Sequence, residues 1–134
     1  GGVVGIDFGL KTYLTLSDGR VYENPQFFKQ SLRDIHKVHR RLSRSIKGSN
    51  NYRRRRLELG RLYRRISNHR DDYQWRLTHE LCRRYSTICL ETLSLEGMRR
   101  LWGRKLSDLS HASFVFRLEH VAVKYNTNVV HVDK

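Results

Sequence analysis

Residues 3–21 read VVGIDFGLKTYLTLSDGRV, an apolar run that ends on an acid, Asp7, before a second strand-like stretch begins. Val3 to Ile6 have the composition of a buried strand, and Tyr13 to Leu16 alternate as a second. Ser17-Asp18-Gly19 is turn chemistry that returns a third strand through Val21 and Tyr22. The stretch therefore predicts a β-meander over residues 1–25, with Asp7 at its first corner. A strand that ends on an acid in so basic a chain raises the question of what that acid holds.

Pro25, the only proline, closes the meander, and helical spacing takes over at Phe28, Leu32, Ile35, His39, Leu42 and Ile46. The segment KGSNN at 47–51 interrupts it. A longer pattern follows through Leu59, Leu62, Ile66, Tyr73, Leu77 and Leu81, so residues 27–84 are expected to form an antiparallel helical hairpin, an insertion spanning 26–85. The β pattern returns in STICLETLSLEGM at 86–98, where Thr87 to Leu90 end on Glu91. A connection of this length places the returning strand parallel to the first, which sets Asp7 beside Glu91. A helix over roughly Ser107 to Lys124 and a last strand, NVVHV at 128–132, complete residues 86–134. The order predicts one α/β domain with a mixed five-stranded sheet and a long basic hairpin.

Charge points to the partner. Over 134 residues there are 27 Lys and Arg against 13 Asp and Glu, a net +14, and the commonest cellular polyanion is nucleic acid. Residues 29–84 alone hold 18 Lys and Arg against 5 Asp and Glu, so phosphates should meet the hairpin. The residues expected to meet them are Lys37, Arg40, Arg41, Arg44, Lys47, Arg53, Arg54, Arg55, Arg56, Arg61, Arg64 and Arg65. An anionic membrane surface is the competing reading. No apolar stretch approaches the ~18 residues of a span, and no signal-peptide pattern opens the sequence, so a cytoplasmic protein without a membrane partner is expected. Cys82 and Cys89 are the only cysteines, too few for a disulfide framework and without the paired C-x-x-C ligands of a zinc site. His36 and His39 are helical neighbours that lack a third ligand nearby.

Two carboxylates at the ends of adjacent strands sit about 5 Å apart, a like-charge pair relieved by a shared divalent cation. Hard oxygen donors of this kind suit Mg²⁺ or Mn²⁺, and in a positive field the same ions bridge to a phosphodiester. The plainer reading makes Asp7 a turn cap and Glu91 a solvated loop acid; their joint placement favours the metal site. Gly5 and Gly9, on either side of Asp7, leave room for a phosphate or serve only the backbone.

GIDFGLKTYLTLSDGR with Asp7, the basic segment RRLSRSIKGSNNYRRRRLELGRLYRRISNHRDDYQWRLTHEL, and ICLETLSLEGM with Glu91 together resemble the RuvC-type nuclease region of the TnpB family. These are the OrfB transposase-like proteins of insertion sequences, related to type V CRISPR effectors. The resemblance runs over nearly the whole chain and keeps the order of its motifs. It implies an RNase H-like fold, catalytic Mg²⁺ held by Asp7 and Glu91, and RNA-guided cleavage of DNA, with guide RNA and target DNA as partners in a prokaryotic, nucleoid-associated setting. It also implies flanking domains of a longer protein and, past VVHVDK, a four-cysteine zinc ribbon and a third catalytic Asp, so a core truncated before that Asp is expected. Thr92 and Ser94 stand where the family more often has other polar residues. Asp108 reads as a helix cap and Asp133 as a solvated acid, and neither is assigned as the third ligand. The alternative within the family is a nuclease-incompetent fragment that binds RNA or DNA without cutting it.

Overall fold

The computed structural model describes residues 1–9, 12–23, 25, 29, 31–91 and 111–132. The meander forms as the alternation predicts, with strands β1 (Gly2–Phe8), β2 (Thr12–Leu16) and β3 (Val21–Glu23). β1 pairs antiparallel with β2, Ile6 opposite Leu16 and Phe8 opposite Leu14, and β2 pairs antiparallel with β3. The turn between them closes when Arg20 C=O accepts the Leu16 N–H at 2.8 Å and Leu16 C=O accepts the Gly19 N–H at 3.0 Å. Gly19 sits at φ +95°, a conformation that a side chain would strain, so the Asp18-Gly19 pair sets the hairpin.

Among the described residues of 27–84 lie the helices α1 (Leu32–Arg44) and α2 (Asn50–Arg84). α1 buries Ile35 and Val38, whereas His39 is exposed, and Ile46 lies past the helix end at 80% exposure. The apolar stripe thus passes through Val38 rather than His39 and stops before Ile46; Phe28 lies outside the described residues. The segment expected to interrupt the helix does so by identifiable means. Ser45 leaves the helix in extended conformation and donates its N–H to Leu42 C=O at 3.1 Å, and Gly48 turns the chain at φ +86°. Ser49 then caps α2, its Oγ accepting the Tyr52 N–H at 3.2 Å.

Among the described residues β4 (Tyr85–Glu91), α3 (His111–Tyr125) and β5 (Asn128–Val132) follow. Residues 107–110, the expected start of the last helix, lie outside the described residues. The sheet order is β3-β2-β1-β4-β5, and β4 is parallel to both β1 and β5. This mixed five-stranded α/β arrangement is compatible with an RNase H-like fold. α3 ends on Asn126 at φ +55°, with Asn126 N–H donating to Val123 C=O and Thr127 N–H to Ala122 C=O at 2.9 Å, the paired bonds of a Schellman cap. Thr127 Oγ1 donates to Cys82 C=O at 3.1 Å, tying the start of β5 to the end of α2.

The chain divides into two compact units, residues 1–25 with 73–134, and residues 26–72. In the first, Val4, Ile6, Leu14, Leu16, Ile88 and Leu90 of the sheet pack with Leu77 and Leu81 of α2 and with Phe114, Leu118 and Val121 of α3. Each aliphatic side chain fully buried in this way contributes about 2 kcal/mol. In the second, Arg41 Nη1 of α1 lies 4.0 Å from Glu58 Oε1 of α2, and Arg55 Nη1 lies 3.2 Å from Glu58 Oε2. Among the described residues no helix is long and apolar enough to cross a membrane.

Candidate functional site

Val4, Gly5 and Ile6 of β1 pair in parallel register with Ile88, Cys89 and Leu90 of β4. Asp7 and Glu91 follow the last of these pairs, so they stand side by side at the carboxyl ends of neighbouring strands. Alternation fixes which way they face. Val4, Ile6, Ile88 and Leu90 point into the core at no more than 3% exposure, and Gly5, Asp7, Cys89 and Glu91 take the opposite face. Both acids are exposed.

A cleft of about 410 Å³ lies over this face, lined by Gly5, Asp7, Thr15, Ser17, Cys89, Glu91 and Val132 among others. Thr15 is abreast of Asp7 in β2, and Val132 is abreast of Glu91 in β5. Ser17 Oγ accepts the Gly5 N–H at 2.9 Å, which fixes the hydroxyl at the edge of the cleft. Sequence reasoning missed Thr15, Ser17, Cys89 and Val132 as lining residues. Their signal was the two-residue period itself, counted outward from the acids once the strand register is known.

The strand spacing of ~4.8 Å brings two anionic side chains together in an open cleft, the arrangement a divalent cation neutralises. The donor set fits a hard cation. Two carboxylates with water filling the remaining positions match the habit of Mg²⁺, which keeps several waters. Among the described residues no group of three His, Cys, Asp or Glu converges on one point. Asp108 and Asp133, weighed as further ligands, and Thr92 and Ser94 lie outside the described residues.

The strand end that carries Asp7 is held from behind. Phe8 turns inward, its ring centroid 4.5 Å from that of His111 and 6.0 Å from that of Phe114. His111 is fully buried, and burial pushes its imidazole down to about 4. The ring is therefore neutral at neutral pH. At Gly9 a Cβ would sit 2.8 Å from the Thr12 carbonyl oxygen, so this glycine is required by the tight β1–β2 corner.

The residues expected to meet nucleic acid distribute over several faces of α1 and α2. Lys37, Arg41, Arg54, Arg61 and Arg65 line one groove of about 480 Å³ together with Asp34, Glu58 and the apolar Val38, Leu57 and Leu62. Arg40 and Arg44 are exposed on α1, and Lys47 is exposed in the connection. Arg53, Arg56 and Arg64 are exposed on α2, whereas Arg55 is half-buried and paired with Glu58. The RRRR run at 53–56 is thus divided by the helical turn into residues with different neighbours.

The chain is similar to proteins of known families. The OrfB_IS605 family, described as "Probable transposase", matches residues 1–101. "Putative RNA-guided DNA endonuclease InsQ" of Escherichia coli is 33% identical over 98 residues, which cover 73% of this chain and 24% of that protein. A "Putative RNA-guided DNA endonuclease" of Streptomyces pristinaespiralis is 29% identical over 133 residues, 98% of this chain and 33% of that protein. A "TnpB-like protein" of Acanthamoeba polyphaga mimivirus is 27% identical over 147 residues, 97% of this chain and 28% of that protein. The chain spans 24% to 33% of the length of these relatives.

Proposed function

The chain belongs to the OrfB_IS605 (TnpB) family, and on that premise we propose that it forms the RuvC-type nuclease core of a transposon-encoded, RNA-guided DNA endonuclease. The observation that carries this reading is the β1–β4 register, which sets Asp7 beside Glu91 at the carboxyl ends of parallel strands. In this reading residues 1–134 are one RuvC-like domain, with 26–85 inserted between its third and fourth strands. Guide RNA and target DNA are the partners.

Asp7 and Glu91 would hold Mg²⁺ or Mn²⁺, which when bound supplies Lewis-acid polarisation of a phosphoryl oxygen and a more acidic water. The chain's own part is to position and to attract. Two carboxylates fixed on strand ends present their oxygens at a set spacing, and Phe8 packed on His111 keeps the Asp7 backbone from shifting. The open cleft admits a phosphodiester, and the hydroxyls of Thr15 and Ser17 at its edge are placed to donate to phosphate oxygens. The net +14 raises the local concentration of the polyanion.

A second reading draws on the donor count. With two carboxylates at the cleft among the described residues, the chain would bind RNA or DNA and leave it uncut. The test is nicking of supercoiled plasmid in Mg²⁺ and in Mn²⁺ by the chain as given and by Asp7→Ala. The nuclease-core reading expects weak nicking that Asp7→Ala removes, because in-line hydrolysis with two ions draws on more than two carboxylates. Nicking that persists in Asp7→Ala would sink the site, and binding with no nicking in either ion would favour the second reading.

A further inference from the structure

The two edges of the sheet are built differently. At one edge β3 is three residues long, ends on Glu23 and meets β2 across a register shift. Short, charged and irregular edges of this kind resist pairing with another chain. At the other edge β5 reads Asn-Val-Val-His-Val, holds register with β4 over all five residues, and contains neither lysine nor proline. Among the described residues no strand pairs with its outer side. A strand so placed presents a regular row of backbone N–H and C=O groups to any chain that can lie beside it.

Apolar surface collects at the same edge. Val130 and Val132 are exposed on the cleft face of β5, abreast of Cys89 and Glu91. On the other face α3 leaves Phe116 71% and Val123 79% exposed. At about 100° per residue, Phe116, Glu119 and Val123 share an arc of roughly 60° on α3. Glu119 turns that arc towards the strand, its Oε1 2.5 Å from His131 Nε2. A groove of about 550 Å³ runs between the two elements, lined by Glu119, Ala122, Val123, Asn128 and Val129 among others. Strand edge, groove and helix stripe thus form one continuous surface.

We propose that this surface joins two copies of the chain, β5 pairing antiparallel with β5 of the second copy about a two-fold axis perpendicular to the sheet. Such an axis keeps every element on its own face. The five strands continue into ten, and the two α3 helices run side by side with the Phe116 and Val123 stripe of each turned towards its mate. Both Asp7–Glu91 clefts then open on the same side of the joined sheet. Charge selects a second copy as the occupant. Residues 29–84 carry 18 Lys and Arg against 5 Asp and Glu, which leaves 9 against 8 in the rest of the chain. The β5 edge therefore escapes the self-repulsion that the net +14 imposes elsewhere, and it offers a polyanion little. Antiparallel pairing about a two-fold is self-complementary, so the valines of one β5 meet those of the other.

The test is sedimentation velocity over a concentration series of the chain, freed of nucleic acid, in roughly 1 M salt, where bridging by residual nucleic acid is lost. Wild type should pass from monomer to dimer as concentration rises. Val123→Lys and Phe116→Lys change exposed helical positions, so at concentrations where wild type is monomeric their circular dichroism and thermal unfolding should match it. Each should weaken dimerisation about a hundredfold, tenfold at each of the two symmetry-related sites. Val130→Lys, which gives β5 the charge that blunts natural edges, should do the same. Amide exchange read by mass spectrometry should slow across residues 128–132 as wild type dimerises, and not in Val123→Lys at the same concentrations. A chain that is monomeric at every concentration overturns the proposal. So does a dimer that survives all three substitutions, or one whose formation leaves exchange at 128–132 unchanged. Protection of β5 that is independent of concentration would assign the edge to another part of the same chain, and overturns it too.

Discussion

Gln74 Nε2 donates a 2.8 Å hydrogen bond to the Tyr13 hydroxyl, joining α2 to β2 in the interior of the sheet unit. Gln74 is fully buried, and its Oε1 accepts from Ser113 Oγ at 3.2 Å and from Arg117 Nη1 on α3. One amide of α2 thus satisfies groups from two other elements, β2 and α3. Gln74→Leu keeps the volume and strips these groups of their partner, so it should lower unfolding free energy by about 2–3 kcal/mol. Tyr13→Phe combined with Gln74→Leu should destabilise by less than the sum of the single changes, because both changes remove the same hydrogen bond. Equilibrium urea unfolding of the four proteins checks both expectations.

His111 predicts an acid limb in stability. Its imidazole is pushed down from 6.5 to about 4 in the folded chain, so between these values the unfolded state binds more protons than the folded one. Stability attributable to this group is therefore complete above pH ~6.5 and falls as pH drops, by a total of about 3 kcal/mol once the folded ring also titrates. His111→Phe, which keeps an aromatic ring against Phe8 and Tyr13, should flatten the dependence between pH ~6.5 and ~5, a window above most carboxylate titration. Urea midpoints at several pH values decide it, and an unchanged acid limb in His111→Phe would assign that limb to other groups.

The meander and the placing of Asp7 beside Glu91 were legible because a single acid ended each of two apolar runs and the intervening length favoured a parallel return; the place of β5 beside β4 was not. α1 was legible in place and not in phase. His39 has the same spacing as a core residue, and only the packing of Val38 tells the two apart. Gln74, Thr78 and His111 were illegible as core residues because polarity predicts exposure; Gln74 is buried with partners from β2 and α3, Thr78 by donating to the Trp75 C=O one turn back, and His111 by ring packing against Phe8 and Tyr13. The cleft residues Thr15 and Ser17 carry no signal until β2 is set in register against β1.

The arginines at 53–56 should not contribute equally to binding. Arg54 Nη2 donates to Asn51 Oδ1 at 2.7 Å and Arg55 is paired with Glu58, whereas Arg53 and Arg56 are exposed on the side of the helix away from Glu58. Arg53→Ala with Arg56→Ala should flatten the single-strand salt slope by about 1.4, the effect of leaving two phosphates without a cationic partner. Arg54→Ala with Arg55→Ala should change it less. Equal effects of the two double variants in a salt titration would show that the helix is met from all sides.

Asp7 and Glu91 predict opposite effects of substitution with and without metal. In a chelator the two carboxylates repel across neighbouring strands, so Asp7→Asn or Glu91→Gln should stabilise the fold by roughly 0.5 kcal/mol. Both side chains are exposed, which leaves the core undisturbed by either change. With Mn²⁺ the order should reverse. A cation that binds only the folded state stabilises it by RT ln(1 + [L]/Kd), about 1.4 kcal/mol at tenfold excess over Kd, and each variant removes half of the donor pair. Thermal unfolding with EDTA and with increasing Mn²⁺ is the measurement. The wild-type midpoint should begin below those of the variants and rise past them as Mn²⁺ is added. A variant that keeps the full Mn²⁺-induced rise would place the ion elsewhere on the chain and remove Asp7 and Glu91 from the site.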